Sequence, residues 1–172
     1  MTSEDVANRV WDATEDFGTK CGKFGGAATV EVVRKSLAAE GIKTSVRNVF
    51  IDGVPVEIDL VIPRPGARST LNGLLFKQQE AAVVLEIKKS GSYGRNSLRS
   101  VRDNFKLFGS KGIRCAYLTI EERQTYRYRA TPKNLGVSSV YTLYWNLRSD
   151  AHFTTDWESL VRFLRKATRV RK

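Results

Sequence analysis

Histidine and cysteine are almost missing from this 172-residue chain: His152 is the single histidine, and Cys21 and Cys115 are the two cysteines. A zinc site built from Cys and His is therefore excluded, and no disulfide framework is implied. A histidine-dependent nucleophile would have to use His152, and no Gly-x-Ser-x-Gly elbow accompanies it; His152 reads as a surface residue ahead of the last helix. No apolar run approaches the ~18 residues of a membrane span. The opening residues, Met1-Thr2-Ser3-Glu4-Asp5, are acidic and carry no apolar signal region, so the expected location is the cytoplasm. Repeats, low-complexity tracts and long linkers are also missing. Acids are scarce beside bases, 18 against 29, which leaves a formal charge of +11. Such an excess points to a polyanionic partner, nucleic acid first. A membrane surface fits less well, because no segment joins a strong apolar face to a cationic one.

Hydrophobic residues make up 41% of the chain and charged residues 27%. At this length they predict one domain, residues 1–172, with a sizeable core. Helical spacing of Val6, Val10 and Phe17 predicts a first helix over Ser3 to Phe17, with Ser3 as cap. Gly18 and Gly22 break it. A second helix is predicted from Ala27 to Glu40, with Val30, Val33 and Leu37 inward and Gly41 as stop. Ile42 to Ile51 reads as a strand, and Asp52-Gly53 as a hairpin turn. Pro63-Arg64-Pro65-Gly66 ends the returning strand. The insertion that follows, with Arg64, Arg68 and Lys77, is either a substrate-contacting arm or a longer hairpin. A third helix is predicted from Ser97 to Phe108, with Leu98, Val101, Phe105 and Phe108 on one face. Ile113 to Ile120 and Val140 to Leu147 read as strands, the latter with Tyr141, Leu143 and Trp145 on one face. Gln124 to Ala130 alternates tyrosine and arginine (Tyr126, Arg127, Tyr128, Arg129), a pattern that suits either sheet packing or base stacking. Thr155-Asp156-Trp157-Glu158 is a capping box for a last helix, with Trp157, Leu160, Val161 and Leu164 inward.

The stretch from Val56 to Lys89 organises the rest. Val56 to Ile62 reads as one strand, with Val56, Ile58, Leu60 and Ile62 on one face and Glu57, Asp59 and Val61 on the other. Ala82 to Lys89 reads as a second strand, with Val83, Leu85 and Ile87 opposed by Val84, Glu86 and Lys88. If the two pair, Asp59, Glu86 and Lys88 converge. Two carboxylates repel unless a positive charge lies between them, and a divalent cation with hard oxygen ligands is the natural occupant.

Asp59 followed by Glu86-Ile87-Lys88 resembles the catalytic core of the PD-(D/E)xK nucleases, the superfamily of the restriction endonucleases. The resemblance covers roughly Ala27 to Leu118 and is moderately specific. Ile58 stands where the namesake proline would be, and the gap from Asp59 to Glu86 exceeds what a tight hairpin needs. The resemblance implies an α/β fold, a mixed central β-sheet flanked by helices. It also implies Mg²⁺, with Mn²⁺ as a substitute, held by Glu31, Asp59, Glu86 and the Ile87 carbonyl. Lys88 would complete the catalytic set with Glu31, Asp59 and Glu86. Glu40 and Glu57 are the alternatives to Glu31 for the remaining acid. Nucleic acid would lie against Arg95, Arg99, Arg102 and Lys106 on the third helix and against Arg165, Lys166 and Arg169 on the last. The expected activity is a Mg²⁺-dependent endonuclease acting on DNA, sequence-specific or directed at branched junctions, and working as a homodimer. Two other readings stand beside it: a ribonuclease such as a toxin-type tRNA nuclease, and a non-cleaving nucleic-acid-binding module on the same fold.

Overall fold

The computed structural model describes residues 1–14, 22–89, 95–121, 135, 139–144 and 156–169. Its strongest sequence signal, the apolar run Ala81–Lys89, forms an internal strand. Numbered along the chain, the helices are α1 (Ser3–Asp12), α2 (Gly22–Ala39), α3 (Arg95–Gly109) and α4 (Asp156–Thr168). The strands are β1 (Val49–Ile51), β2 (Val54–Ile58), β3 (Leu60–Pro63), β4 (Ser69–Thr70), β5 (Leu75–Phe76), β6 (Ala81–Lys89), β7 (Arg114–Glu121) and β8 (Val140–Tyr144). The main sheet has the order β3-β6-β7-β8, with β3 antiparallel to β6 and the other pairs parallel. A smaller sheet has the order β2-β1-β5-β4. Both faces of β6 and β7 are buried as far as the site, as internal parallel strands require. The expected mixed α/β architecture, with helices on the faces of a central sheet, is the one observed.

Alternation along β6 divides the core. Val83, Leu85 and Ile87 pack with Val6 and Val10 of α1, Val33 and Leu37 of α2, and Trp157 and Leu160 of α4. Val84 turns the other way, into a cluster with Phe105 and Phe108 of α3, Val49 and Ile51 of β1, and Ile58 of β2. The inward faces foreseen for α2, α3 and α4 therefore hold.

Several boundaries differ from the sequence reading, each for a local reason. The cap of α1 is Thr2: its Oγ1 accepts the Asp5 N–H at 3.1 Å, and the Asp5 carboxylate accepts the Thr2 N–H at 2.8 Å. Ser3 instead accepts the Trp157 N–H at 3.0 Å, tying α1 to the start of α4. α2 begins at Gly22, ahead of Ala27. It stops as expected at Gly41, whose φ of +73° suits a residue without Cβ. Only Val49–Ile51 of the predicted 42–51 strand is regular. Asn48 takes φ +59°, and Ser45 clasps the edge of β3 through Ser45 N–H to Val61 O (2.8 Å) and Val61 N–H to Ser45 Oγ (2.9 Å). The Asp52-Gly53 hairpin forms, with β1 antiparallel to β2. The insertion builds β4 and β5, which extend the smaller sheet.

The predicted strand from Val56 to Ile62 is two strands. It breaks at Asp59, leaving β2 in the smaller sheet and β3 in the main one. Ile58 and Val61 thus belong to the α3 side of the core, and Leu60 and Ile62 to the other. The uniform face of Val56, Ile58, Leu60 and Ile62 is not realised, because the chain turns a corner at Asp59. Among the described residues no helix is long and apolar enough to cross a membrane. The readings placed on Phe17, Gly18, Cys21, Gln124 to Ala130, Trp145, Leu147, His152 and Thr155 lie outside the described residues.

Candidate metal and catalytic site

Asp59 is half-buried at the corner between the two sheets, beside the carboxyl end of β6. Its Oδ2 accepts the Ile87 N–H at 2.7 Å, continuing β3–β6 pairing with a side chain where the backbone has turned away. Glu86 lies on the opposite face of β6 from Leu85 and Ile87, as alternation requires. The Lys88 Nζ bridges the pair, 2.5 Å from Glu86 Oε1 and 3.6 Å from Asp59 Oδ2. The three residues singled out from the sequence therefore meet. The carboxylate side chains retain 21% and 17% exposure and the lysine 41%, so the site opens to solvent on the lysine's side.

The electrostatics are those of a crowded carboxylate pair. Burial, then the neighbouring Asp59 charge, pushes the Glu86 carboxyl up to about 7 despite Lys88, with Glu57 adding to the rise. Burial also raises Asp59 above the usual carboxylate range, against the pull of Lys88 and the Ile87 N–H. Burial disfavours the Lys88 charge, but Glu86 and Asp59 together outweigh it and raise the ammonium's pKa. One ammonium thus leaves part of the repulsion uncompensated. A hard divalent cation, which keeps several waters and needs only one or two carboxylates, fits this donor set. In a strand a residue's N–H and C=O point to the same edge, so the Ile87 carbonyl is directed toward the side on which Asp59 sits.

The other acids separate. Glu31 is taken by Arg34, with two N···O contacts of 2.8 Å, and by Lys35 at 4.0 Å. The hydrogen bonds from Arg34 hold its carboxyl below the usual range. Glu40 is taken by the Met1 amino group at 3.1 Å and by Arg165 at 3.3 Å. Glu57 is exposed on β2, opposite Phe50, and its charge reaches Glu86. Among the described residues no three His, Cys, Asp or Glu side chains are grouped to hold a metal ion. The assembled donors are thus Asp59, Glu86 and the Ile87 carbonyl, with Glu57 nearby.

Tyr117 was not singled out from the sequence. It pairs with Glu86 in the β6–β7 register and is buried. Burial, then Glu86 and Asp59, pushes its hydroxyl well above the usual range, so it forms a neutral wall. The signal was present in β7, where Cys115, Tyr117, Thr119 and Glu121 alternate with Ala116, Leu118 and Ile120; reading it needed the register. Lys89 points away from the site, as alternation demands, contacting Thr14 Oγ1 and lying 5.1 Å from the Trp11 ring centroid.

The cations proposed for nucleic acid fall into two sets. On α3, Arg99, Arg102 and Lys106 gather around Asp103 at 3.5–3.7 Å. The Arg95 side chain lies outside the described residues. On α4, Arg165 reaches Glu40 and donates to its backbone carbonyl at 2.7 Å, closing the end of α2. Lys166 and Arg169 line open grooves.

No family model matches the chain, and no curated protein sequence matches it. Among solved structures it is similar to the restriction endonuclease PspGI in complex with substrate DNA, with a TM-score of 0.55 and 16% identity. The match covers 88% of this chain and 66% of that one. The fold is restriction-endonuclease-like.

Proposed function

We propose that the protein is a metal-dependent endonuclease that hydrolyses phosphodiester bonds in DNA. The observation that carries this reading is the meeting of Asp59, Glu86 and Lys88 at the corner of the two sheets, with the carboxylates under-compensated by one ammonium. Asp59, Glu86 and the Ile87 carbonyl would hold Mg²⁺, with Mn²⁺ as a substitute. The ion when bound supplies an acidified water and shields the phosphate anion. Glu31, held by Arg34, is the weaker choice for a further ligand, and Glu57 the better placed one. The Ile87 N–H fixes one oxygen of Asp59. Lys88, the most exposed of the three, orients the attacking water and stabilises charge that builds on the scissile phosphate. Tyr117 and the α3 side of the core keep water from the rear of the carboxylates.

DNA is favoured over RNA because the similar endonuclease was solved with its substrate DNA, and because the +11 charge suits a phosphate backbone. In this reading the protein works in the cytoplasm as a homodimer, one copy for each strand. The test is a cleavage screen on duplex DNA, branched DNA and RNA, with Mg²⁺ or with EDTA, using the parent and Asp59→Ala. Mg²⁺-dependent cuts in DNA that vanish in Asp59→Ala support it. Cleavage of RNA alone favours the ribonuclease, and tight binding with no cleavage favours the non-cleaving module.

A further inference from the structure

Among the described residues, six cations without an ion-pair partner collect at the end of the main sheet remote from Asp59 and Glu86. β3 is antiparallel to β6, so Pro63 and the loop after it lie beside Ala81 and Ala82. β7 is parallel to β6, so Arg114 lies at the same end. Two grooves of about 720 and 540 Å³ meet there, sharing Arg64, Pro65, Thr168 and Arg169. Lys43, Arg64, Arg68, Arg114, Lys166 and Arg169 line them and are exposed. None of these six has a carboxylate within ion-pair distance among the described residues, whereas Arg99, Arg102 and Lys106 share Asp103. Along β6, Ala82 is four residues from Glu86, about 13 Å at the rise of an extended strand.

We propose that this groove is a second nucleic-acid contact, which grips the phosphate backbone of a duplex away from the scissile bond. The proposal rests on the nucleic-acid reading above and adds a surface that does not line the catalytic corner. Four of the six cations are arginines, whose planar forks pair with phosphate oxygens two at a time. An anionic lipid surface has the same headgroup chemistry but fits less well. Among the described residues, the exposed large apolar side chains are Val46, Phe50, Leu71, Leu74 and Leu107, and none lines the groove to enter a bilayer.

The experiment compares two charge-matched triple variants in EDTA, where no cleavage can occur. One is Arg64→Ala, Arg114→Ala, Arg169→Ala, within the groove. The other is Arg9→Ala, Lys35→Ala, Lys77→Ala, which removes the same charge at scattered exposed positions. Affinity for a labelled 20-base-pair duplex is read by anisotropy over a range of KCl. The groove variant should bind at least tenfold more weakly, and its log K against log salt should flatten by about 2.7, at about 0.9 per lost phosphate contact. The scattered variant should keep most of the parental slope. Equal effects in the two variants would reduce the groove to net charge and overturn the proposal. So would a groove variant that binds DNA like the parent but no longer binds phosphatidylserine vesicles. Matching thermal melts show that both variants are folded. Parental DNA binding in the groove variant together with normal cleavage would sink this proposal alone. A groove-dependent affinity without any cleavage would sink the nuclease reading alone.

Discussion

Replacing Glu86 by glutamine should change how the metal-free protein responds to pH. The Glu86 carboxyl has an ordinary value of 4.5 and stands at about 7 in the fold, because burial and the Asp59 charge disfavour its ionised form. Below pH 4.5 both folded and unfolded chains hold the proton, and nothing is lost. Between the two values the folded state holds a proton that the unfolded state releases, so stability falls as pH rises. Above 7 the loss is complete. At about 1.4 kcal/mol per pKa unit it amounts to about 3 kcal/mol, shared with Asp59, whose carboxyl is also raised. Glu86→Gln has no proton to lose at this position and also relieves Asp59. The attraction between Lys88 and the ionised Glu86 is already contained in the value of about 7, so its loss in the variant adds no separate pH dependence. Urea unfolding in EDTA, followed by tryptophan fluorescence at pH 4.5 and pH 8, measures the effect. The parent should lose about 3 kcal/mol more than Glu86→Gln across that interval. Mg²⁺ at pH 8 should restore the parent and do little for the variant. Parallel pH profiles would mean that Glu86 is not buried against Asp59, and the site as described would be wrong.

Lys88→Ala should stay folded and bind Mg²⁺ with its carboxylates intact, yet lose about two orders of magnitude or more in cleavage rate, as expected for a lost charge at the scissile phosphate; calorimetry and a labelled-DNA assay on one batch check this, and parental turnover refutes it. Lys89→Ala should keep parental turnover but melt lower, because Lys89 packs on Trp11 and Thr14. Leu85→Ala, at a fully buried position of an internal strand, should lower the unfolding free energy by about 2–5 kcal/mol in urea titration; a change near zero would move β6 to an edge. Cys115, pushed up to about 12 by burial, should resist alkylation at pH 8 until urea unfolds the chain, as read by mass spectrometry of its peptide.

The central sheet was legible because its strands carry their own signals. Ala82–Leu85 and Cys115–Leu118, the middles of the two strands, are apolar on both faces, and only internal strands of a covered sheet bury both. Asp59, Glu86 and Lys88 were legible for the converse reason: a charged residue in such a strand contradicts its surroundings, and the contradiction marks a site. The break at Asp59 was not legible. Apolar and acidic residues alternate from Val56 to Leu60 with no turn residue between them, and what interrupts the strand is the assignment of β2 and β3 to different sheets. Glu31 illustrates a second limit. Its place on a helix and its separation from Asp59 matched the resemblance, but Arg34 one turn later is a competing partner on the same helix surface. Tyr117 illustrates a third, since its place beside Glu86 exists only in the β6–β7 register, which no local pattern encodes.

The corner at Asp59 links the fold to the chemistry. A continuous strand would have carried its backbone pairing past Glu86 and satisfied the Ile87 N–H with a carbonyl. Because the chain enters the main sheet only at Leu60, that N–H is left to the Asp59 carboxylate, which is thereby pinned beside Glu86. The same late entry ends β3–β6 pairing at Leu85, ahead of the point where Lys88 emerges. The gathering of two carboxylates, which costs stability in the metal-free protein, is therefore built into the chain path. The buried clusters on both faces of β6 hold that path, so Leu85 and Phe108, though buried in the core, help to set the carboxylate spacing. Residues of this kind should be mutable toward smaller side chains only with a joint loss of stability and metal affinity. Substitutions at Asp59 or Glu86 should instead separate the two, lowering metal affinity while the metal-free fold gains or keeps its stability.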